Sequence, residues 1–279
     1  MFINDKHLAN PPIQWQAHQN SNSEVPENTM AAMKYAWELG GIPEIDIRQT
    51  ADGVIIGHHD ATPKRTLSVP EAEQDKQISE LTFDQIQLWD AGVKFGEKFR
   101  MEKVPSLEQV LTVLSEHPDR QLYLDFKEVD LEVLAGLIRD YGVARQIIFA
   151  HNRHENCKSV KRLVPEVRTM LWIPVRSSDT AMQTFADIRQ TEFDSLDIVQ
   201  LHLPDGEGKR PWRYKLEKGF IQEALQHLAG AGMELEVLPF KFEQEDLFEL
   251  LDMGIRRFAV DEPSVFVELL NRYFKGSNK

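Results

Sequence analysis

One cysteine in 279 residues, Cys157, leaves the chain without an intrachain disulfide, so the fold must rest on packing, as it does in reducing compartments. No apolar run approaches the roughly 18 residues of a membrane span. The opening Met1-Phe2-Ile3-Asn4-Asp5-Lys6 has no apolar core of signal-peptide length, and the expected setting is cytoplasmic. Positive charge is also scarce: 32 Lys and Arg face 45 Asp and Glu, a formal net charge of −13. Such a surface repels a phosphate backbone and excludes nucleic acid as a partner. A small phosphorylated substrate stays possible, because a local cationic cluster or a bound metal reverses the field inside a cleft. With 42% hydrophobic and 28% charged residues, the chain can bury a substantial core and is neither disordered nor collagen-like.

What is present is an alternation of short β-rich runs with amphipathic stretches, the pattern of a parallel sheet covered by helices. Strands are expected over 13–18, 43–49, 54–59, 121–127, 146–151, 167–173, 197–203, 234–239 and 257–261. Only Thr50-Ala51-Asp52-Gly53 separates the second run from the third. That is too short for a parallel crossover and suits a hairpin, so the third run folds back antiparallel. The other eight close a (β/α)8 TIM barrel. Helices are expected over 28–39, 83–89, 110–116, 131–141, 179–190, 220–229, 245–251 and 265–274, with Ser106-Leu107-Glu108-Gln109 as a capping box. The whole chain, 1–279, reads as a single barrel domain. The weakly periodic stretch at about 60–104 reads as a lid-like insertion on the active-site side.

Alternation along a strand puts Glu44 and Asp46 on one face, with Ile45 and Ile47 on the other. In 122–127 it sends Asp125 and Lys127 inward and the leucines and Phe126 toward the helices. Three carboxylates then converge at one mouth of the barrel. Such a cluster is costly without a cation, and carboxylate oxygens are what hard ions such as Mg²⁺ or Ca²⁺ select. His18 ends the first strand and His58-His59-Asp60 ends the hairpin, offering two acid–base groups about a metal-held anion. Strand register decides which of His58 and His59 faces the site. Gln200, His202 and Glu236 occupy inward strand positions, where they either line a pocket or form a hydrogen-bonded barrel interior.

The chain resembles the glycerophosphodiester phosphodiesterase family, within the phospholipase C-like phosphodiesterase superfamily. The resemblance is carried by Ala17-His18, Pro26-Glu27-Asn28-Thr29, Glu44-Ile45-Asp46, Asp52-Gly53, His59-Asp60 with Arg65-Thr66, Val104-Pro105-Ser106-Leu107-Glu108, Asp125-Phe126-Lys127 and Val260-Asp261-Glu262-Pro263. It implies that Glu44, Asp46 and Asp125 hold one divalent cation, Mg²⁺ or Ca²⁺. His18 and His59 would be the catalytic pair, which selects His59 over His58, and Lys127 would contact the phosphate. The implied reaction is hydrolysis of a small glycerophosphodiester to glycerol phosphate and an alcohol.

Three departures qualify the likeness. Gln19-Asn20 follows His18 where most members carry Arg, so Gln19 meets the phosphate without charge. Lys241, Arg65 and Arg176 are candidates to restore that charge. Asp125 stands where Glu is common and is similar to spider-venom type phospholipases D, which implies release of a cyclic phosphate as an alternative outcome. Leu238-Pro239-Phe240-Lys241 alters the alcohol pocket, for which Glu236 is a candidate contact. Two further alternatives are a catalytically silent barrel that binds such ligands and a metal-dependent aldolase or isomerase on the same scaffold.

Overall fold

The structure is a computed structural model that describes residues 12–20, 23–206 and 212–276; the Met1–Lys6 opening lies outside them. Nine strands run in chain order: β1 Gln14–Ala17, β2 Ile42–Gln49, β3 Ile55–Gly57, β4 Leu122–Glu128, β5 Ile147–His151, β6 Arg168–Ile173, β7 Ile198–Leu203, β8 Glu234–Pro239 and β9 Arg257–Val260. Neighbours pair in the order β1-β9-β8-β7-β6-β5-β4-β2, and β1 also pairs with β2, which closes eight parallel strands into a barrel. β3 lies antiparallel on β2, with Arg48 opposite Ile56. The turn between them passes through Gly53 at φ +85°, a left-handed conformation that a Cβ would strain.

The covering helices are α1 Met30–Glu38, α2 Phe83–Gln87, α3 Leu107–Ser115, α4 Leu131–Asp140, α5 His154–Leu163, α6 Ser178–Gln190, α7 Lys218–Gly230, α8 Gln244–Asp252 and α9 Pro263–Gly276. The capping box forms at α3, where Ser106 Oγ accepts from the Gln109 amide and the Gln109 side chain returns to Ser106 N–H. α1 starts two residues later than expected. Asn28 is held in the left-handed region at φ +54° by its bonds to Asp46, so Thr29 becomes the cap. α5 has no counterpart among the expected helices. It is rich in charge and buries only Cys157 and Val160, too thin an apolar stripe for periodicity to reveal.

The main core fills the shell between strands and helices, with Ile45, Ile47, Leu122, Leu124 and Phe149 facing outward from the barrel. Inside the barrel a smaller cluster of Ile42, Tyr123, Ile148, Ala150, Met170 and Ile198 plugs the lumen. The 60–104 segment has a core of its own, in which Leu67, Ile78, Leu81, Ile86 and Trp89 close over Ile56 of β3. Among the described residues no helix is long and apolar enough to cross a membrane.

Candidate active site

A cavity of about 210 Å³ opens at the C-terminal ends of the strands, lined among others by His18, Gln19, Glu44, His59, Asp125 and Lys127. β2 and β4 build its acidic floor. They pair in parallel with Asp46 beside Asp125 and Glu44 beside Tyr123, so two strands deliver three carboxylates to one place. Glu44, Asp46 and Asp125 are all buried, and one oxygen from each lies within 4.8 Å of the others.

Few protein groups neutralise that cluster. Lys127 Nζ donates to Asp125 Oδ2 at 2.5 Å and stands 3.0 Å from Asp46 Oδ1. Asp46 Oδ1 is wholly buried and receives no hydrogen bond. Its other oxygen accepts from Asn28 Nδ2 at 2.8 Å, while the Asp46 amide donates to Asn28 Oδ1. Glu44 Oε2 accepts from the Gln19 amide at 2.6 Å, a bond aimed by the left-handed Gln19 backbone at φ +43°. Trp172 Nε1 donates to Asp125 Oδ1 at 3.2 Å.

Protonation follows from these neighbours. Burial and then the Asp46 charge push Glu44 up to about 8. Burial also raises Asp125, against the pull of Lys127. Asp46 goes the other way: burial opposes its charge, but Lys127, His59 and Asn28 outweigh it and hold the carboxyl below its usual range. Burial likewise works against the Lys127 cation, and Asp46 and Asp125 overcome it and raise that group. Three acids within reach of one another beside a single lysine form a hard-oxygen donor set, and they fit a divalent cation such as Mg²⁺ or Ca²⁺.

Both candidate histidines are oriented by carboxylates. His18 Nδ1 bonds Asp261 Oδ1 at 2.7 Å, joining the start of the chain to the end of β9. Burial disfavours the His18 cation, yet the Asp261 hydrogen bond and then the Glu44 field raise it to about 9. His59 Nδ1 bonds Asp60 Oδ1 at 2.8 Å. Asp60 is clamped by Arg65, whose guanidinium also bonds Glu27 through two contacts of 2.7 Å. Each ring thereby turns Nε2 toward the cavity. His58, one residue away, is buried and its Nε2 bonds Thr62 O at 3.0 Å, so register turns it away from the cavity.

The structure therefore gathers His18, His59, Glu44, Asp46, Asp125, Lys127 and Gln19 about one space. Glu236 is not among the residues that line it. It faces inward as alternation requires, but is fully buried below, bonded to Tyr123 and Gln200. Arg65 is taken up by Asp60 and Glu27, and neither Lys241 nor Arg176 lines the cavity. Sequence reasoning gave no role to Asn28, Asp60 and Asp261, which aim Asp46, His59 and His18. Their one signal was membership of the segments that carry the resemblance, which contain Asn28, Asp60 and Asp261 without assigning them a role. An aromatic wall completes the cavity: Trp172 stacks on His202 with ring centres 5.2 Å apart, and Phe240 meets the edges of both His202 and His18.

The profile described as "Glycerophosphoryl diester phosphodiesterase family" matches residues 18–264. A glycerophosphodiester phosphodiesterase of Caldanaerobacter subterraneus subsp. tengcongensis is 32% identical over 167 residues, 54% of this chain and 63% of that protein. Mouse glycerophosphodiester phosphodiesterase 1 is 31% identical over 40% of this chain and 33% of its own length. The matched stretches thus span less than two thirds of these relatives. In three dimensions, a glycerophosphodiester phosphodiesterase from Agrobacterium tumefaciens superposes with TM-score 0.70 at 23% identity, covering 92% of this chain and 99% of that one. An Oleispira antarctica phosphodiesterase, solved with sn-glycerol-3-phosphate as product, gives TM-score 0.71 at 18% identity over 92% and 96% of the two chains.

Proposed function

The chain belongs to the glycerophosphoryl diester phosphodiesterase family, and from that premise we propose that it hydrolyses small glycerophosphodiesters to glycerol phosphate and an alcohol, with one divalent ion and two histidines. The observation that carries the reading is the buried Glu44–Asp46–Asp125 cluster facing two carboxylate-oriented imidazoles across one cavity. A divalent ion held by the three acids, Mg²⁺ or Ca²⁺, supplies Lewis-acid polarisation of the phosphoryl oxygens. Lys127 adds a fixed positive charge for the phosphate, and Gln19 a polar contact without charge. His18, held as the cation chiefly by Asp261, is suited to protonate the departing alkoxide. His59, aimed by Asp60 and through it by Arg65, is suited to take the proton of the attacking hydroxyl. The 60–104 segment brings Asp60 and Arg65 to the rim, which supports reading it as a cover on one barrel domain.

The test is product analysis by ³¹P NMR on a panel of glycerophosphodiesters, with chelator and with added Mg²⁺ or Ca²⁺. The expected result is a phosphomonoester formed only with metal, and at least a hundredfold loss of kcat in His18→Ala and in His59→Ala. Accumulation of a cyclic diester identifies the phospholipase D-like release of a cyclic phosphate instead. Binding of diesters without any turnover identifies a silent barrel, and undiminished activity in chelator overturns the metal role.

A further inference from the structure

A series of hydrogen bonds rises from the lower barrel to the cavity, and its direction is fixed at its base. Arg257 can only donate, and its Nη2 stands 2.6 Å from Tyr123 Oη. The tyrosine oxygen therefore accepts there and gives its own hydrogen to Glu236 Oε2, 2.5 Å away. Glu236 Oε1 accepts from Gln200 Nε2 at 2.6 Å, and the same Nε2 reaches Gln16 Oε1 at 3.3 Å. With both amide hydrogens of Gln200 engaged, its oxygen alone is left for His202 Nε2 at 3.0 Å, so that nitrogen carries the ring hydrogen.

The consequence falls on the other nitrogen. No carboxylate pairs with His202 among the described residues, and its stacking on Trp172 and edge contact with Phe240 surround the ring with aromatic carbon. Burial and then the His18 charge hold it neutral, down to about 3. Nδ1 is therefore a bare lone pair. It has no partner among the described residues and is not a sealed orphan, while His202 lines the cavity, so Nδ1 opens on the substrate space.

We propose that His202 is a specificity-determining residue whose Nδ1 accepts a hydrogen bond from a hydroxyl on the glycerol arm of the diester. The class selected is the polyol phosphodiester over one whose arm lacks that donor. A hydroxyl suits the acceptor better than an ammonium, because the cation of His18 faces the same space. The inference rests on the diesterase reading above and narrows its substrate. One acceptor that water can also satisfy gives a preference of about ten- to a hundredfold, below what a sealed polar pocket achieves.

The experiment compares kcat/KM of the metal-loaded wild type, His202→Phe and Gln200→Leu on a glycerol phosphomethyl diester and its two deoxy analogues, each lacking one hydroxyl. Wild type prefers the glycerol diester by tenfold or more over the analogue that keeps the hydroxyl next to the phosphate and lacks the other, a comparison that leaves any attacking neighbour hydroxyl in place. His202→Phe, which keeps an aromatic ring against Trp172, brings that ratio to within about threefold of unity, and Gln200→Leu shrinks it by freeing the tautomer. Independently of any variant, ¹⁵N NMR of the wild-type histidines finds the Nε2–H form of His202 from pH 5.5 to 8. An unchanged ratio in His202→Phe, an Nδ1–H form, or titration near pH 6.5 overturns this inference while leaving the diesterase reading intact. Absence of turnover by wild type on all three diesters, with either metal, overturns that reading and this inference with it.

Discussion

In the lower barrel Glu236 is fully buried, yet Arg257, Tyr123 and Gln200 surround it, and Arg257 also reaches Glu234 at 2.7 Å. Higher in the barrel, on β2 and β4, Glu44, Asp46 and Asp125 are also buried, with Lys127 and the His18 ring as their nearby cations. The lower layer sets Arg257 beside its fully buried carboxylate and gives each Glu236 oxygen a directional hydrogen bond, while Arg257 Nε and Glu234 Oε2 go without one. The upper layer keeps three acids at the barrel mouth, where burial is a standing cost that drives Glu44 to hold a proton instead of a charge. A fold selected for stability alone would resemble the lower layer throughout. The upper one is arranged around a charge that comes from outside, at the end of the barrel where such folds build their sites.

Perturbing each layer in turn separates the two. Glu44→Gln keeps the shape and removes a donor from the upper layer, and kcat falls by about a thousandfold or more in a metal-supplemented diesterase assay. Glu236→Leu leaves Arg257 with only the more exposed Glu234 and deprives the buried Tyr123 and Gln200 donors of their acceptor, and urea unfolding registers a loss of about 3–5 kcal/mol. The same Glu44→Gln that removes activity stabilises the metal-free protein by about 1–3 kcal/mol, because it deletes a carboxyl that burial and Asp46 already push up to about 8. Equal destabilisation by both substitutions would erase the distinction between the layers.

Glu44 and His18 bind protons more tightly folded than unfolded, at about 8 against 4.5 and about 9 against 6.5. Their contribution is complete below the unfolded values and is lost as pH rises through the folded ones. The metal-free protein therefore loses about 2 kcal/mol or more between pH 5 and 9, and bound metal flattens that limb by favouring the deprotonated acids. His202 acts oppositely, since its folded value of about 3 lies below 6.5, and stability falls as pH drops below 6.5. Urea midpoints across pH, with metal and with chelator, check both limbs.

Much of this was legible in the sequence because strand alternation reports which face a residue takes. Glu44, Asp46, Asp125 and Lys127 came out inward together, and the short Asp-Gly turn gave away the antiparallel β3. Alternation says nothing of height along the barrel. Glu236 has the right face, but lies beside Arg257 in the register of β8 and β9, below the cavity floor. The supporting acids were hidden for another reason. Asp261 lies 243 residues from His18, and only barrel closure through β1 and β9 makes them neighbours. Asn28 read as the first residue of a helix, when its left-handed backbone serves Asp46. α5 escaped notice because Cys157 and Val160 are its only buried side chains.

The claim that the upper layer lacks one cation is tested most directly by calorimetric titration of Mg²⁺ and Ca²⁺ into the metal-free protein near pH 7, in two buffers of different ionisation enthalpy. One ion binds with net proton release, drawn largely from Glu44, and Glu44→Gln and Asp125→Asn each weaken binding at least tenfold while Glu236→Gln does not. Absence of binding by either ion, or binding that survives loss of Glu44 and Asp125, contradicts the account.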